Sequence, residues 1–450
     1  MYKNPTPASA DSLPSPTPSP APHPDSPERS RLGRFGVLPR LAGTSFLVLG
    51  LFARLPLAML TVGALTLVTT ASDSYAAGGF AAGAVGIGSA LGAPLLGVLA
   101  DRRGQRIVLL VSAVLNTLAI AALLVVTLTS ERFTGGALAL VLVAAFAMGF
   151  TCPQIGPLAR VRWMAMTRGC GADLDTALSY EGTADELTFV LGPALVGLLA
   201  GLIAPWLPLA LAAALTLTLV SAFAVHRTVA FSDAPPAPAG DGGATGAEAL
   251  GYRAWLVLLP VAGMIAMGTF FGSTQTFLTA FTGHFGSPES SGLLYAVMGL
   301  SSAIAALSVA YWPRRFGHTA RWIASAAAMA AAAVALALPD SIGAMVAVLL
   351  VLGLFVGPTM VTIFSIGSEV APANRLGTVM TLLASGIVAG TAIGSALAGT
   401  LAESAGAAGA AAVPASSAAV LLLLGVLSAV ALRRAGSGRG TSPSAGRRVP

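Results

Sequence analysis

Charged side chains are scarce in this sequence, and lysine, histidine and cysteine are scarcer still. Only 9% of the 450 residues are charged, whereas a soluble domain carries about 25%. No soluble fold of this size could cover its surface with so few charges. The single lysine, Lys3, leaves none for the P-loop that binds ATP, which excludes a pump driven by ATP.

The two cysteines and four histidines lack the spacing of a metal site or a disulfide scaffold. Cys152 and Cys170 form no C-x-x-C pair, and neither an H-E-x-x-H nor a G-x-S-x-G motif is present. The sequence therefore predicts no metal site, no bound cofactor and no enzymatic activity. A membrane-embedded enzyme, which would need a nucleophile with a base or a set of metal ligands, is the alternative from another functional class.

Long apolar runs take the place of the missing charges. Hydrophobic residues make up 55% of the chain, and its mean hydropathy is +0.83. Runs of about 20 residues recur, each long enough to cross a hydrocarbon core of about 30 Å as a helix. Because the runs are continuous and do not alternate with polar residues, they exclude a transmembrane β-barrel. An all-α membrane protein in a lipid bilayer is the predicted class.

Breaks between the runs divide the chain into two sets of six spans. We expect a disordered tail at 1–40, a first bundle at 41–225, a cytoplasmic linker at 226–252, a second bundle at 253–433 and a disordered basic tail at 434–450. The predicted spans lie at about 42–70, 75–99, 105–127, 134–159, 178–203, 206–225, 253–282, 290–313, 319–338, 341–366, 375–402 and 413–432.

The positions of the basic residues predict how the spans are oriented. With twelve spans both termini lie on one side, and assigning that side to the cytoplasm places 22 of the 24 lysines and arginines there. Only Arg132 falls outside, and Arg54 lies within span 1. This bias predicts a multi-pass protein of the cell membrane with both termini in the cytoplasm. It also explains the net charge of +6 without a nucleic-acid partner.

The turn between spans 2 and 3 reads Gly97-x-Leu-Ala-Asp101-Arg102-x-Gly104-x-Arg106. It resembles the signature that members of the major facilitator superfamily carry between their second and third spans. The resemblance covers about 40–435. It implies two parallel six-helix halves, with a solute bound between them near the midplane and the halves rocking about it.

The resemblance also implies that this turn latches the two halves together in one state. Gly97 lets a helix of the other half approach closely, and Asp101 lies beside an expected helix N-terminus, where a carboxylate is favoured by about 0.3–1 kcal/mol. Arg102 and Arg106 can pair with carboxylates or lipid phosphates, and topology places Glu369 nearby as a second partner. A plain turn whose arginines only orient the spans is the alternative.

A weaker copy of the turn precedes span 9 and has Arg314 where the first copy has Asp101. Similar residues, including Gly192 in span 5 and Gly394 in span 11, recur between the halves at near-constant offsets, which supports a duplicated six-helix unit. Because only the first copy has the aspartate, Asp101→Asn should impair transport more than Arg314→Gln.

Charges inside the spans are functional candidates, since a charge near the bilayer centre costs at least about 2.5–3.5 kcal/mol. Arg54 lies near the middle of span 1, where Pro56 interrupts the backbone hydrogen bonds. Asp185 and Glu186 lie in the first half of span 5. We expect Arg54 and Glu186 to pair inside the membrane, with Glu186 as a candidate proton carrier. An ion pair that only fixes the packing is the alternative.

Three further features concern coupling and substrate. Gly192, Pro193 and Gly197 of span 5 resemble part of the packing motif of the superfamily's antiporters. The arginine that the family usually has in span 4 is missing from 144–153, and Glu181 is expected at the cytoplasmic end of span 5. The central helices are mainly apolar, which favours a lipophilic or cationic solute over a sugar. The cavity candidates are Gln154, Phe270, Phe271 and Gln275.

Together these features predict a secondary transporter that exports a small organic solute in exchange for protons, as in bacterial drug and small-solute efflux members of the family. Import of a metabolite with protons is the alternative on the same fold, and a membrane sensor or channel derived from that fold is another. The chain is expected to act as a monomer and to draw on the proton gradient.

Overall fold

Twelve apolar helices form the body of the protein in the computed structural model, which describes residues 33–130, 133, 135–167, 170–232, 246–285, 291–313 and 315–437. The described residues contain no β-strand, so the predicted all-α membrane fold is confirmed. The spans, numbered 1 to 12, are Thr44–Ser72, Ala77–Arg103, Gln105–Thr129, Gly136–Met166, Gly171–Leu202, Leu207–Val225, Trp255–Gly283, Ser291–Tyr311, His318–Ala337, Ile342–Val370, Leu376–Ala402 and Ser404–Arg434.

Spans 4, 5 and 12 differ most from their predicted bounds. Span 4 continues to Met166 because Arg160 and Arg162, expected in a cytoplasmic loop, are buried by partners within the bundle. The prediction that span 4 carries no charge is therefore wrong. Span 5 begins at Gly171, earlier than the predicted 178, because its first turns are polar and do not resemble an apolar run. Span 12 already begins at Ser404, and Gly406, whose φ is +67°, interrupts the helix in its first turn.

Parts of the predicted tails and linker are helical. Gly33–Gly36 forms a 3-10 turn and Val37–Ala42 an α-helix, in which Leu38 is buried. Val229–Ser232 is a short helix, and the helix that contains span 7 begins at Gly246. The last helix ends at Ser437. The remainder of the predicted tails and linker, at 1–32, 233–245 and 438–450, lies outside the described residues, as do Arg132, Arg168 and Arg314.

Two spans of the first half are broken near their middle. Span 1 consists of the helices Thr44–Phe52 and Leu55–Ser72, with Pro56 in the first turn of the second helix. Span 4 consists of Gly136–Phe150 and Ile155–Met166. Proline at such a break lacks the backbone N–H that a continuous helix would need. The breaks free backbone groups and place polar side chains at the centre of the bundle.

Small residues set the spacing of the spans within each half. A Cβ at Gly192 of span 5 would lie 2.6 Å from the Cβ of Ala58 in span 1. A Cβ at Gly394 of span 11 would lie 2.0 Å from the carbonyl oxygen of Thr269 in span 7. Both contacts need glycine, since a side chain would push the helices apart. The two glycines that the sequence repeat pairs thus occupy equivalent contacts in the two halves.

Candidate functional site

The Asp101 turn joins the two halves at one end of the bundle. Its carboxylate accepts hydrogen bonds from the backbone N–H of Gly377 at 2.9 Å and from the N–H and hydroxyl of Thr378 at 2.7 and 2.6 Å. These N–H groups belong to the first turn of span 11, which has no intrahelical partners for them. Asp101 of the first half therefore caps the N-terminus of a helix of the second half.

The neighbours of Asp101 have different surroundings. A Cβ at Gly97 would lie 2.0 Å from Thr381 Oγ1, so spans 2 and 11 cross in contact there. Gly104 has a φ of +84° and joins the end of span 2 to the start of span 3. Arg102 and Arg106 are exposed. Within the described part of the chain neither has a carboxylate partner at ion-pair distance.

Glu369 does not contact Asp101, so the expectation that it joins that latch is wrong. It contacts His318 Nδ1 at 2.6 Å, while His318 Nε2 lies 3.2 Å from Asp175 Oδ1. His318 begins span 9 and Asp175 lies near the start of span 5, so this triad is a second contact between the halves. It belongs to the degenerate copy of the turn. The end of the bundle that carries Asp101 and His318 is called the arginine-rich end below.

Arg162 is a structural residue that sequence reasoning assigned to a loop. Its Nε donates to Gln105 Oε1 at 2.9 Å, and its Nη1 donates to the carbonyl of Phe223 and the hydroxyl of Thr228. These bonds tie span 4 to span 3, to span 6 and to the segment that follows span 6. An arginine that follows an apolar run has the same local pattern whether it is solvated or buried, so no signal in the sequence could have found this role.

Three buried charges and one partly buried charge meet at the centre of the first half. Arg54 forms an ion pair with Glu181 and lies 3.2 Å from Asp185, and Arg160 lies 2.6 Å from Asp185. Trp163 donates to the second carboxylate oxygen of Glu181 at 2.7 Å. We call Arg54, Arg160, Glu181 and Asp185 the central cluster. Two cations face two carboxylates, so its formal net charge is zero.

The predicted pair between Arg54 and Glu186 is wrong, and the helix repeat explains why. Glu181 and Asp185 are four residues apart and lie on one face of span 5, which points toward Arg54. Glu186 is one residue further and faces the second half, where its carboxylate accepts a hydrogen bond from Ser302 at 2.9 Å. The expectation that Glu181 lies at a solvated span end is wrong too, since it is 1% exposed.

A small cavity of about 50 Å³ lies between the central cluster and the second half. Arg54, Arg160 and Asp185 form its charged wall, while Gln154 lies at the break of span 4 beside them. Phe364 of span 10 covers Arg160, whose Cζ lies 3.8 Å from the ring centroid. Further residues of the wall are Leu57, Ser89, Ile155, Thr188, Phe189, Ser385, Ile387 and Val388.

The other predicted cavity residues lie elsewhere. Phe270 is buried in the core of the second half, Phe271 packs at its edge, and Gln275 is exposed. None of the three is among the described residues that line the cavity. Gly197 of the predicted packing motif has no neighbour within 4 Å, so only Gly192 makes a close helix contact there.

No group of His, Cys, Asp and Glu within the described ranges is arranged to hold a metal ion. Both cysteines are free thiols, Cys152 buried and Cys170 exposed. The four residues of the central cluster contact one another, and Arg54, Arg160 and Asp185 also line the cavity.

Two six-helix halves, contacts that close one end, and buried charges beside a central cavity define a membrane transporter. Residues 46–386 match the Major Facilitator Superfamily, and the chain belongs to this superfamily. It is therefore a secondary transporter by family and fold, and transporters of this class bind small solutes within a lipid bilayer. The more specific resemblance to bacterial efflux members stays a prediction.

Solved structures show the same fold at low sequence identity. The human organic anion transporter MFSD10 (TETRAN) is 19% identical, with a TM-score of 0.65 over 86% of this chain and 99% of that one. A bacterial homologue of the iron transporter ferroportin, in an outward-facing state, is 16% identical, with a TM-score of 0.65 over 86% and 99%. FucP in the outward conformation is 15% identical, with a TM-score of 0.62 over 85% and 99%. No curated protein sequence matches the chain.

Proposed function

We propose that this protein carries a small organic solute across the cell membrane by alternating access and couples that movement to protons. The observation that supports the proposal is a cavity with buried charges at the boundary between the halves, next to an end that Asp101 holds closed. A site in this position would be exposed to one side and then the other as the halves rock.

Asp185 and Glu186 are the carboxylates that support proton coupling. Asp185 lies in the cavity wall between two arginines, and Glu186 is bonded to Ser302 across the boundary. A carboxylate with a partner in the other half loses that partner when the halves separate. Its affinity for a proton then differs between the two states, which is the condition for linking proton binding to the conformational change.

Export in exchange for protons is the first candidate for the direction of transport. Much of the cavity wall beside the charges is apolar or aromatic, which suits the lipophilic solutes that such exporters carry. Uptake of a metabolite together with a proton is the second candidate. The two arginines in the cavity wall suit an anionic metabolite as its solute, because a guanidinium attracts an anionic solute and repels a cationic one.

Exchange of labelled solute in proteoliposomes tests the proposal. The panel should contain organic cations, organic anions and neutral solutes, each measured with an imposed pH gradient and again with a proton uncoupler. We expect accumulation of at least one solute that the uncoupler abolishes. Ser385→Trp, which fills the cavity, should abolish exchange, whereas Ser404→Trp on an exposed face of span 12 should not. Absence of exchange for every solute would contradict a transporter and favour a sensor.

The same proposal includes location, orientation and oligomeric state. We expect a monomer in the cell membrane with both termini in the cytoplasm, since the cavity and both closing contacts belong to one chain. Epitope tags at each end, probed in intact and opened cells, test the orientation. Light scattering of the purified chain tests the monomer. A susceptibility panel in cells that express the chain separates export from uptake, because an exporter lowers sensitivity to its substrates.

A further inference from the structure

The central cluster holds more hydrogen-bond donors than its own carboxylates satisfy. Among the described residues, Nη1 of Arg54 and Nε of Arg160 have no hydrogen-bond partner, and Nε of Arg54 lies 3.2 Å from Asp185 without the alignment of a hydrogen bond. Both side chains are buried, with 3% and 1% of their surface exposed. Unpartnered donors on a buried cation are rare in native structures and call for a specific acceptor.

These donors belong to side chains that line the central cavity. The cavity has room for a few water molecules, which can serve the donors while no ligand is present. Ser385 of span 11 lines the same cavity from the second half, and its hydroxyl is also buried with no hydrogen-bond partner in the part of the chain that the structure describes. Polar groups from both halves therefore line one cavity and have hydrogen-bond donors without acceptors. The donors of the first half belong to positively charged arginines.

Arginine beside a cavity is suited to one kind of acceptor in particular. The planar guanidinium offers parallel N–H groups that match the two oxygens of a carboxylate. Asp185 already shows this match, because its two oxygens lie 3.2 Å from Arg54 and 2.6 Å from Arg160. It occupies the place that a solute carboxylate would take. Its side chain is the more exposed of the two acidic members, at 16% against 1% for Glu181.

Charge balance requires a proton to accompany such a solute. The cluster is neutral, so an added anion would leave one uncompensated negative charge in a buried site, which is strongly unfavourable. Protonation of Asp185 removes that excess and releases both arginines at once. The charged groups that interact with Asp185 are Arg54 from span 1, Arg160 from span 4, and Glu181 and Glu186 from its own helix.

We propose that the cavity binds the carboxylate of a small organic acid through Arg54 and Arg160, and that Asp185 takes up a proton as the anion displaces it. The proton comes from a hydronium ion in the surrounding solution, which leaves a water molecule, and it forms an O–H bond on the Asp185 carboxyl group. Ser385 donates to the bound anion from the second half. Phe364 and the aliphatic wall contact the rest of the solute, which makes the preferred substrate a carboxylate with an apolar body.

Anion and proton bind together in this scheme, so each strengthens the binding of the other. The inference therefore rests on the second candidate of the proposed function, cotransport with a proton. Glu186 remains outside the anion site and is free to respond to the movement of the halves. The two carboxylates thus have separate roles, one in binding and one at the boundary.

Binding and proton uptake by the purified full chain test the inference. The probes are hexanoate and benzoate, with hexanamide, benzamide and benzylamine as matched neutral and cationic controls. A pH dye in weakly buffered solution should report about one proton taken up per anion bound. Glu186→Gln should keep this uptake, and Asp185→Asn should bind the anion without it. Arg103→Gln, an exposed turn residue, should behave as wild type.

Arg160→Gln should weaken anion binding by at least about tenfold. The single variant leaves Asp185 without one of its two arginine partners and can therefore fail to fold. The double variant Arg160→Gln/Asp185→Asn keeps the cluster neutral, and its anion binding is then compared with that of Asp185→Asn. Ser385→Ala should weaken binding by a smaller factor. Binding of benzamide as tightly as benzoate, or equal proton uptake in Asp185→Asn, would overturn the inference.

The same samples separate the two proposals. Proteoliposomes that exchange only cationic or neutral solutes would leave the transporter proposal standing and overturn this inference. Chains that bind benzoate with proton uptake but exchange no solute would support the anion site and contradict transport.

Discussion

Asp101 in the first half caps a helix of the second half, span 11, whose first turn contains Thr378. The carboxylate accepts hydrogen bonds from both the backbone N–H and the hydroxyl of Thr378, at 2.7 and 2.6 Å. No other residue type combines a negative charge with so short a side chain. In the proposed transport cycle the bond pair stabilises the state in which the arginine-rich end is closed, and we expect it to break when that end opens.

Asp101→Asn should shift the protein toward the state that is open at the arginine-rich end. Asparagine keeps the shape but removes the charge, and hydrogen bonds to a charged group contribute about 1.5–3 kcal/mol. A shift of this size changes an opening equilibrium by about tenfold or more. Labelling of Ser385→Cys by an impermeant maleimide, in a Cys152→Ser/Cys170→Ser background, reports access from that end. The matched control is Arg103→Gln, and equal labelling in the two variants would reduce the turn to a topology signal.

Gly97→Ala should loosen the same end by a steric route. Its Cβ would lie 2.0 Å from Thr381 Oγ1, closer than atoms pack, so spans 2 and 11 must separate. We expect faster labelling of the Ser385→Cys reporter and a lower transport rate. Thr381→Ala removes the clashing hydroxyl and should recover part of the loss in a double variant. A double variant no better than Gly97→Ala would show that another contact, such as the carbonyl of Gly377, limits the approach.

Arg54→Leu should destabilise the fold more than the double change Arg54→Leu/Glu181→Leu. The single variant leaves Glu181 buried with an uncompensated charge, which costs about 3–5 kcal/mol. The double variant replaces the pair with apolar groups and should recover most of that loss. Thermal unfolding in detergent measures both, and Arg103→Gln should change the free energy of unfolding by less than about 0.5 kcal/mol. Equal losses in the single and double variants would show that Glu181 is already neutral.

Glu186→Gln should leave solute exchange intact while weakening its dependence on the pH gradient, because Asp185 still takes up a proton with the anion. Glutamine can still accept the hydrogen bond from Ser302, so the packing between spans 5 and 8 is retained. What is lost is a group that can carry a proton. Ser302→Ala, which removes the bond but not the carboxylate, should stay dependent on the gradient. An unchanged response in Glu186→Gln would assign coupling to Asp185 alone.

The turn between spans 2 and 3 shows which contacts can be predicted from the sequence. Gly97 and Asp101 were assigned to a contact between the halves from a motif, and the structure places both against span 11. The motif predicts this contact because each residue acts through its own local chemistry. A glycine allows another helix to approach closely, and an aspartate caps a helix N-terminus. Glu369 was assigned to the same contact from topology alone, and it lies instead on His318. Topology gives the end of the bundle on which a residue lies but not its neighbours there.

For the charges of the central cluster, the sequence predicts much less. Arg54 stood out because an arginine in the middle of an apolar run is costly, and Asp185 and Glu186 stood out for the same reason. Arg160 and Glu181 did not, because each lies where an apolar run ends and a solvated position is equally consistent with the sequence. The sequence does not predict their partners either. A change of one residue along span 5 rotates the side chain by about 100° and points it at a different helix.

The sequence by itself determined that the chain is a twelve-span membrane protein of two halves, because apolar length and arginine placement act on each segment separately. The partners of the four central charges, and the cavity that two of the arginines face, were decided only by the tertiary structure. Those pairings depend on how each helix is rotated and where spans 1, 4 and 5 cross, and both are set by packing between segments far apart in the chain.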